Sequence, residues 1–267
     1  MFLFIVIENL LIYGIIQLDK GAINMIAGLY KIFDHWHEEG TLWICSDPHF
    51  GDDELTTGIP NRPTAAEIVQ RINAKCGRKD TLICLGDVGD VEYVRKLRAK
   101  RKILIMGNHD AGRTNYERQV TTQLFAKILY TKEQALENMK TMYPNCRYTI
   151  DEGYSFHSPF EFWEVKADNM LFDEVYEGPL MIAEKLILSH EPVDVPWAYN
   201  IHGHDHQGHK RKNHTNVCVD ITGYQPINMN QWMKSGAMAH VETIHRDTID
   251  KATARARKRG GKKIGGK

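Results

Sequence analysis

The sequence holds little that would cross-link it, anchor it or cradle a nucleotide. Its five cysteines, Cys45, Cys76, Cys84, Cys146 and Cys218, are an odd number without a Cys-x-x-Cys pair, which argues against a disulfide framework and fits a reducing, cytoplasmic setting. There is no internal repeat and no glycine-rich phosphate loop. No hydrophobic run reaches the roughly 20 residues of a membrane span. Residues 1–18 are strongly apolar, but Glu8-Asn9 breaks them and no basic residue precedes them, so they make a poor secretory signal. Residues 1–24 are therefore expected to be a dispensable extension ahead of a natural start at Met25. Net charge is also lacking, since 34 basic residues balance 34 acidic ones. The balance is uneven, because residues 251–267 carry Lys251, Arg255, Arg257, Lys258 and further basic residues with no acid. Such a tail is expected to stay disordered, as it cannot bury enough apolar surface to fold alone.

What is present is a soluble, globular composition, 42% hydrophobic and 25% charged over 267 residues, enough for one large α/β domain over 25–250. Residues 41–46 form a short apolar run bounded by Gly40 and Asp47-Pro48, the signature of a buried central strand. Residues 64–76 repeat apolar side chains at helical spacing, with Thr64 as N-cap and Gly77 as stop. A second strand is expected over 81–85, a helix over 91–100 and a third strand over 102–106. This βαβαβ order predicts a parallel sheet flanked by helices. Downstream, 186–188, 200–201 and 217–219 read as buried strands. Residues 111–184 are long for a connection and are expected to be an inserted segment, helical over 116–129 and 132–142 and strand-like over 148–165.

Polar clusters follow the apolar runs: Asp47-Pro48-His49, Gly86-Asp87, Gly107-Asn108-His109-Asp110, Ser189-His190 and Gly203-His204-Asp205-His206. In open α/β sheets ligands gather beyond the carboxyl ends of strands, so these clusters are expected at one rim. Carboxylate, imidazole and amide groups without thiolate suit hard or borderline divalent cations. A shared carboxylate can hold two cations about 3.5–4 Å apart, where an activated water and both displaced oxygens are stabilised together.

In this order the clusters resemble the calcineurin-like metallophosphoesterase superfamily over about 41–228. Asn61-Arg62-Pro63 further resembles small phosphoesterases of bacteria and their phages. The resemblance implies an α/β fold of the αββα sandwich type, two central mixed sheets with helices outside. It implies that Asp47, His49 and His206 bind one metal, that Asn108, His190 and His204 bind the second, and that Asp87 bridges both. His109 would act on the leaving oxygen without binding metal, and Asp110 would orient its imidazole. The implied cofactors are two divalent ions, manganese first, with zinc, iron or nickel able to use the same ligands. The implied reaction is hydrolysis of a phosphoester, a phosphodiester ahead of a monoester, by metal-activated hydroxide.

The sequence departs from the superfamily twice: Val91 stands where an arginine often follows the second motif, and Asp52 stands where a histidine often follows Phe50-Gly51. Two rival readings remain, a nuclease for which the basic tail would contact nucleic acid, and a metal-binding scaffold without turnover. The substrate would be a small phosphoester or a nucleotide. The basic run 95–102 reads as a solvated helix end. Tyr154, Phe156, Phe160, Phe162 and Trp163 read as core of the insertion rather than a base-stacking lid. His202 is the weakest of the histidines as a ligand, and His35, His37, His157, His209, His214, His240 and His245 are assigned no role.

Overall fold

The computed structural model describes residues 31–37, 40–154, 161–242 and 244–260. The expected N-terminal extension and the tail beyond 260 lie outside the described residues, as do Phe156 and Phe160. Among the described residues no helix is long and apolar enough to cross a membrane.

Three short strands, β1 (Leu42–Cys45), β2 (Thr81–Cys84) and β3 (Arg101–Ile105), pair in parallel in that order. Their side chains divide by the strand period of two. Leu82, Cys84 and Leu104 join Ile68, Val69 and Ile72 from the helix Ala65–Lys75 on one face. Ile44, Ile83, Ile103 and Ile105 point to the opposite face. That helix starts where the capping box closes, with Thr64 and Glu67 each bonding the other's backbone N–H. The helix expected over 91–100 stops at Val94. Asn73 of the preceding helix ends it by accepting from the N–H of Arg98 and donating to the carbonyl of Lys96.

After β3 the chain leaves the sheet for a separate layer of three antiparallel strands, β4 (Val120–Ala126), β5 (Arg147–Tyr154) and β6 (Glu161–Asp168), ordered β4-β6-β5. The helix expected over 116–129 is thus a strand for much of its length: Val120, Thr121 and Thr122 are β-branched, and all seven residues of β4 pair with β6. The helix Lys132–Met142 packs on this layer through Ala135 and Met139, which share a core with Phe125, Val165 and the partly buried Trp163.

The chain returns as β7 (Glu174–Tyr176), parallel to β3. A second sheet follows, built from β8 (Leu180–Ala183), β9 (Leu186–Leu188), β10 (Tyr199–His202) and β11 (His214–Asn216). The strand expected over 217–219 is displaced: Val219–Thr222 is a helical turn that ends at Gly223, whose left-handed φ of 69° supplies the exit. β12 (Ile227–Asn228) closes the first sheet antiparallel to β1. Leu186, Leu188, Ile201 and Val217 meet the isoleucines of the first sheet between the layers. At roughly 1.5–3 kcal/mol for each side chain buried, this shared core rather than helix propensity fixes the strand ends of both sheets. The result is a mixed α/β architecture of several sheets flanked by helices, the fold class expected.

The tail expected to be disordered from Lys251 continues the helix Ile244–Gly260 as far as Gly260. Alternating Ala252, Ala254 and Ala256 with Arg and Lys makes this stretch a strong helix former without a core to pack on.

An ion cluster ties the insertion together. Arg118 bonds both oxygens of Asp168 (3.0 and 2.8 Å) and also Asp173 (2.5 Å), while Arg147 reaches Asp168 at 2.6 Å. Burial alone raises the Asp168 carboxyl, but these partners outweigh it and lower it from 3.8 to about 2. A depressed carboxyl stabilises the fold above its unfolded pKa and loses that contribution as it is protonated. The stability gap between the protein and Asp168→Asn is therefore expected to shrink from about pH 4 down to about pH 2, read by thermal melts across that range.

Candidate metal centre

The carboxyl ends of both sheets meet at one rim. β1 delivers Asp47 and His49, β2 delivers Asp87, β3 delivers Asn108, β9 delivers His190, and β10 delivers His204 and His206. Asp47, His49, Asp87 and His204 all sit in the left-handed backbone region, with φ of 57°, 40°, 50° and 65°. Side chains with a Cβ avoid that region, so the surrounding bonds must hold it. Ser46 N–H donates to Val217, Asp47 N–H to Gly86 and His49 N–H to Asp87, which fixes the first loop against its neighbours. Two motif glycines are needed for close approach. A Cβ on Gly203 would overlap Ser46 Oγ and Asp47 Oδ2, and one on Gly107 would overlap Asp87 Oδ1.

The side chains gather into two groups that can each hold an ion, Asp47 with His49 and His206, and Asp87 with His190 and His204. In the second group His190 Nε2 lies 2.9 Å from Asn108 Oδ1 and 3.1 Å from His204 Nδ1, which is itself 3.1 Å from Asn108 Oδ1. Asp87 Oδ2 lies 3.3 Å from His190 Nε2 and 3.5 Å from His49 Nε2, so one carboxylate oxygen faces both groups. The tautomers suit cations. His190 Nδ1 donates to the Leu85 carbonyl at 2.8 Å, which leaves Nε2 its lone pair. Lone pairs of Asn108, His190, His204 and Asp87 thus crowd one point, an arrangement that a divalent ion satisfies. Electrostatics agree: burial raises the Asp87 carboxyl, yet the bonds to His190 and His49 and the His109 N–H hold it far below the carboxylate range. Burial lowers His190, but Asp87 and Asp47 outweigh it and raise it, so a proton competes for the place an ion would take.

A sequence model of the calcineurin-like phosphoesterases matches residues 40–214. The chain belongs to this family. This phosphoesterase is accordingly a metal-dependent phosphoric ester hydrolase. A solved structure of a protein of unknown function, AQ665 from Aquifex aeolicus, is similar to it over 73% of this chain and 98% of that one, with 20% identity and a TM-score of 0.43. No curated protein matches the chain.

In this phosphoesterase His109 is exposed, its ring centroid is 5.6 Å from that of His49, and among the described residues its imidazole has no hydrogen-bond partner. Asp110 does not serve it. Its carboxylate accepts the backbone N–H groups of Gly107, Asp87 and Val88 at 2.8, 3.0 and 2.9 Å, so it locks the second and third motif loops to each other rather than orienting an imidazole. Asp52 sits with one oxygen capping the helix Asp53–Gly58 and the other 3.6 Å from His49 Nδ1, on the side away from Asp87.

Sequence reasoning missed Asp220 and Arg62. Asp220 Oδ2 accepts from His206 Nδ1 at 2.6 Å, which leaves His206 Nε2 facing Asp47 at 3.9 Å. Buried Arg62 pairs with the same carboxylate and donates to the carbonyls of Asp47 and Pro48 at 3.3 and 3.0 Å. One guanidinium thereby positions candidate ligands from opposite sheets. Asn61-Arg62-Pro63 drew notice only as a motif, and Asp220, 158 positions away, gave no local signal. Cys218 also touches His206, and burial and the nearby Asp47 push its thiol far up, so without a cation it is a neutral thiol beside His206 and Asp220. Asp220→Asn is expected to weaken divalent-metal binding by roughly 10–100-fold, read by calorimetry, with Asp220→Glu recovering part of it.

Proposed function

We propose that this phosphoesterase cleaves a phosphodiester at a dinuclear centre, with manganese as the resident ion. Asp47, His49 and His206 would hold one ion, Asn108, His190 and His204 the other, with Asp87 shared. The observation that carries this reading is the single Asp87 oxygen lying 3.5 Å from His49 Nε2 and 3.3 Å from His190 Nε2. When bound, the ions would polarise the phosphoryl oxygens and acidify a water for attack. Nitrogen and oxygen ligands without thiolate support manganese, with zinc, iron and nickel as competitors for the same set.

The chain's own groups supply the rest. Asn108 contributes a neutral oxygen, so it does not further lower the positive charge felt by substrate. His109, exposed at the mouth and with no hydrogen-bond partner for its imidazole among the described residues, is placed to give a proton to the leaving oxygen. Asp110 holds the loop that presents both. The metal-centre rim faces solvent at Asn108, His109 and His204, which suits a small phosphoester or nucleotide that enters from outside. The cysteines, buried except for Cys146 and all unpaired, support a cytoplasmic setting.

The deciding experiment counts ions per chain and turns over bis-p-nitrophenyl phosphate, p-nitrophenyl phosphate, cyclic nucleotides and labelled oligonucleotides with manganese. Two ions per chain and fastest turnover of the diester are expected. Fastest cleavage of oligonucleotides would make the protein a nuclease, and bound ions without turnover of any substrate would make it a scaffold.

A further inference from the structure

The basic run read from sequence as a solvated helix end does not face open solvent alone. Together with arginines of the inserted layer it walls a cavity of about 710 Å³. Eight cationic side chains line that cavity against two carboxylates, Asp168 and Asp173. Both carboxylates are engaged by Arg118, and Asp168 also by Arg147. Arg95 is held by Glu92 and by the carbonyl of Asn169. Among the others, exposed Arg78 and Arg98 have no carboxylate partner among the described residues, and neither has Lys96, whose ammonium lies over the Tyr93 ring.

The crowding reaches inward. Lys102 is buried at the base, where its ammonium donates to the carbonyls of Val94 and Met170. Burial first, then Arg118 and Arg147 against the opposing pull of Asp173 and Asp168, push it down to about 8. Like charges gathered around a recess repel one another and focus a positive potential into it, which an anion relieves. Guanidinium groups match phosphate oxygens in pairs, and a recess of this volume is of the size that encloses a nucleotide-sized ligand.

We propose that this cavity is a second binding site, separate from the metal centre, for a compact ligand that carries a chain of two or more phosphates. A single phosphate would leave most of the wall unused, because the cations come from four places: the loop after the helix Ala65–Lys75, the turn 95–100, Lys102 of β3, and the insertion with Arg118 and Arg147. Lys102 is near the start of β3 and Asn108 lies beyond its end, so the strand sets the two sites about 15 Å or more apart. The inserted layer thereby acquires a role, since Arg118 and Arg147 form a wall that the core sheet lacks. The phosphate chain is the shared chemistry of two sources, inorganic polyphosphate and a nucleoside triphosphate.

The test titrates inorganic triphosphate, a nucleoside triphosphate and a single-stranded oligonucleotide into the full metal-loaded chain and into the Arg78→Ser, Arg98→Ser double variant, by calorimetry. Both substituted side chains are exposed and far from the metal ligands, so turnover of bis-p-nitrophenyl phosphate is expected to stay within about twofold, which also reports folding. Triphosphate affinity is expected to fall on the order of tenfold or more in the double variant. Equal affinity for both triphosphates would assign recognition to the phosphates alone, and tighter nucleotide binding would add contacts from the base or sugar. An unchanged dissociation constant in the variant would overturn the proposal. So would a wild-type protein that binds the oligonucleotide but neither triphosphate. Neither failure touches the phosphoesterase reading, which turnover and ion counts test independently.

Discussion

If the centre is dinuclear as proposed, Asp87→Asn is expected to lose both ions and to lower turnover by about 10³-fold or more. The substitution keeps the shape of the side chain, so the effect follows from charge and from which end of the amide faces the site. Asp87 Oδ1 accepts the His109 backbone N–H at 2.9 Å. That bond demands an oxygen, which turns the asparagine NH₂ to where Oδ2 now lies 3.3 and 3.5 Å from the two imidazoles. A donor would then point at both ion positions. Metal content by mass spectrometry and turnover of bis-p-nitrophenyl phosphate check the result. Asp90→Asn, which alters an exposed helix-capping residue three positions on, serves as control. Full turnover in Asp87→Asn would remove the shared carboxylate from the mechanism.

His109→Asn is expected to do the opposite to the ions and nearly the same to the chemistry. Its imidazole has no hydrogen bond to any of the candidate ligands, so the proposed ions should stay bound. Turnover of esters with alkyl leaving groups should drop by about 10²–10⁴-fold, the range for a lost general acid. The role can be separated from a mere charge effect. A p-nitrophenolate leaves without needing a proton, so the loss should be small for p-nitrophenyl esters and large for esters of alkyl alcohols. Equal losses for both leaving groups would assign His109 to charge stabilisation instead.

The candidate ligands were legible because each is a chemically distinctive residue placed directly after a buried strand, and strand ends are set by local apolar runs. β1, β2 and β3 are short and mostly apolar, so their limits could be read from the polar and glycine residues around them, such as Gly40 and Asp47-Pro48 for β1. What escaped was set by partners distant in sequence. The helix expected over 91–100 is cut short by Asn73, and β4 is a strand because β6 pairs with it, forty residues on. The link from Arg62 to His206 runs through Asp220, which no spacing announces. Asp110 shows the reverse error. Its neighbour in the chain was His109, but its partners in space are the N–H groups of Gly107, Asp87 and Val88. Adjacent residues in a tight loop point apart, so sequence proximity misassigned the carboxylate.

The three-stranded layer between β3 and β7 enters and leaves the central sheet through neighbouring parallel strands. Such a detour costs the framework nothing but one crossover, so it behaves as an exchangeable cassette. A descendant that trades the cassette would keep hydrolytic machinery on one rim while changing which signals, if any, the opposite rim can receive.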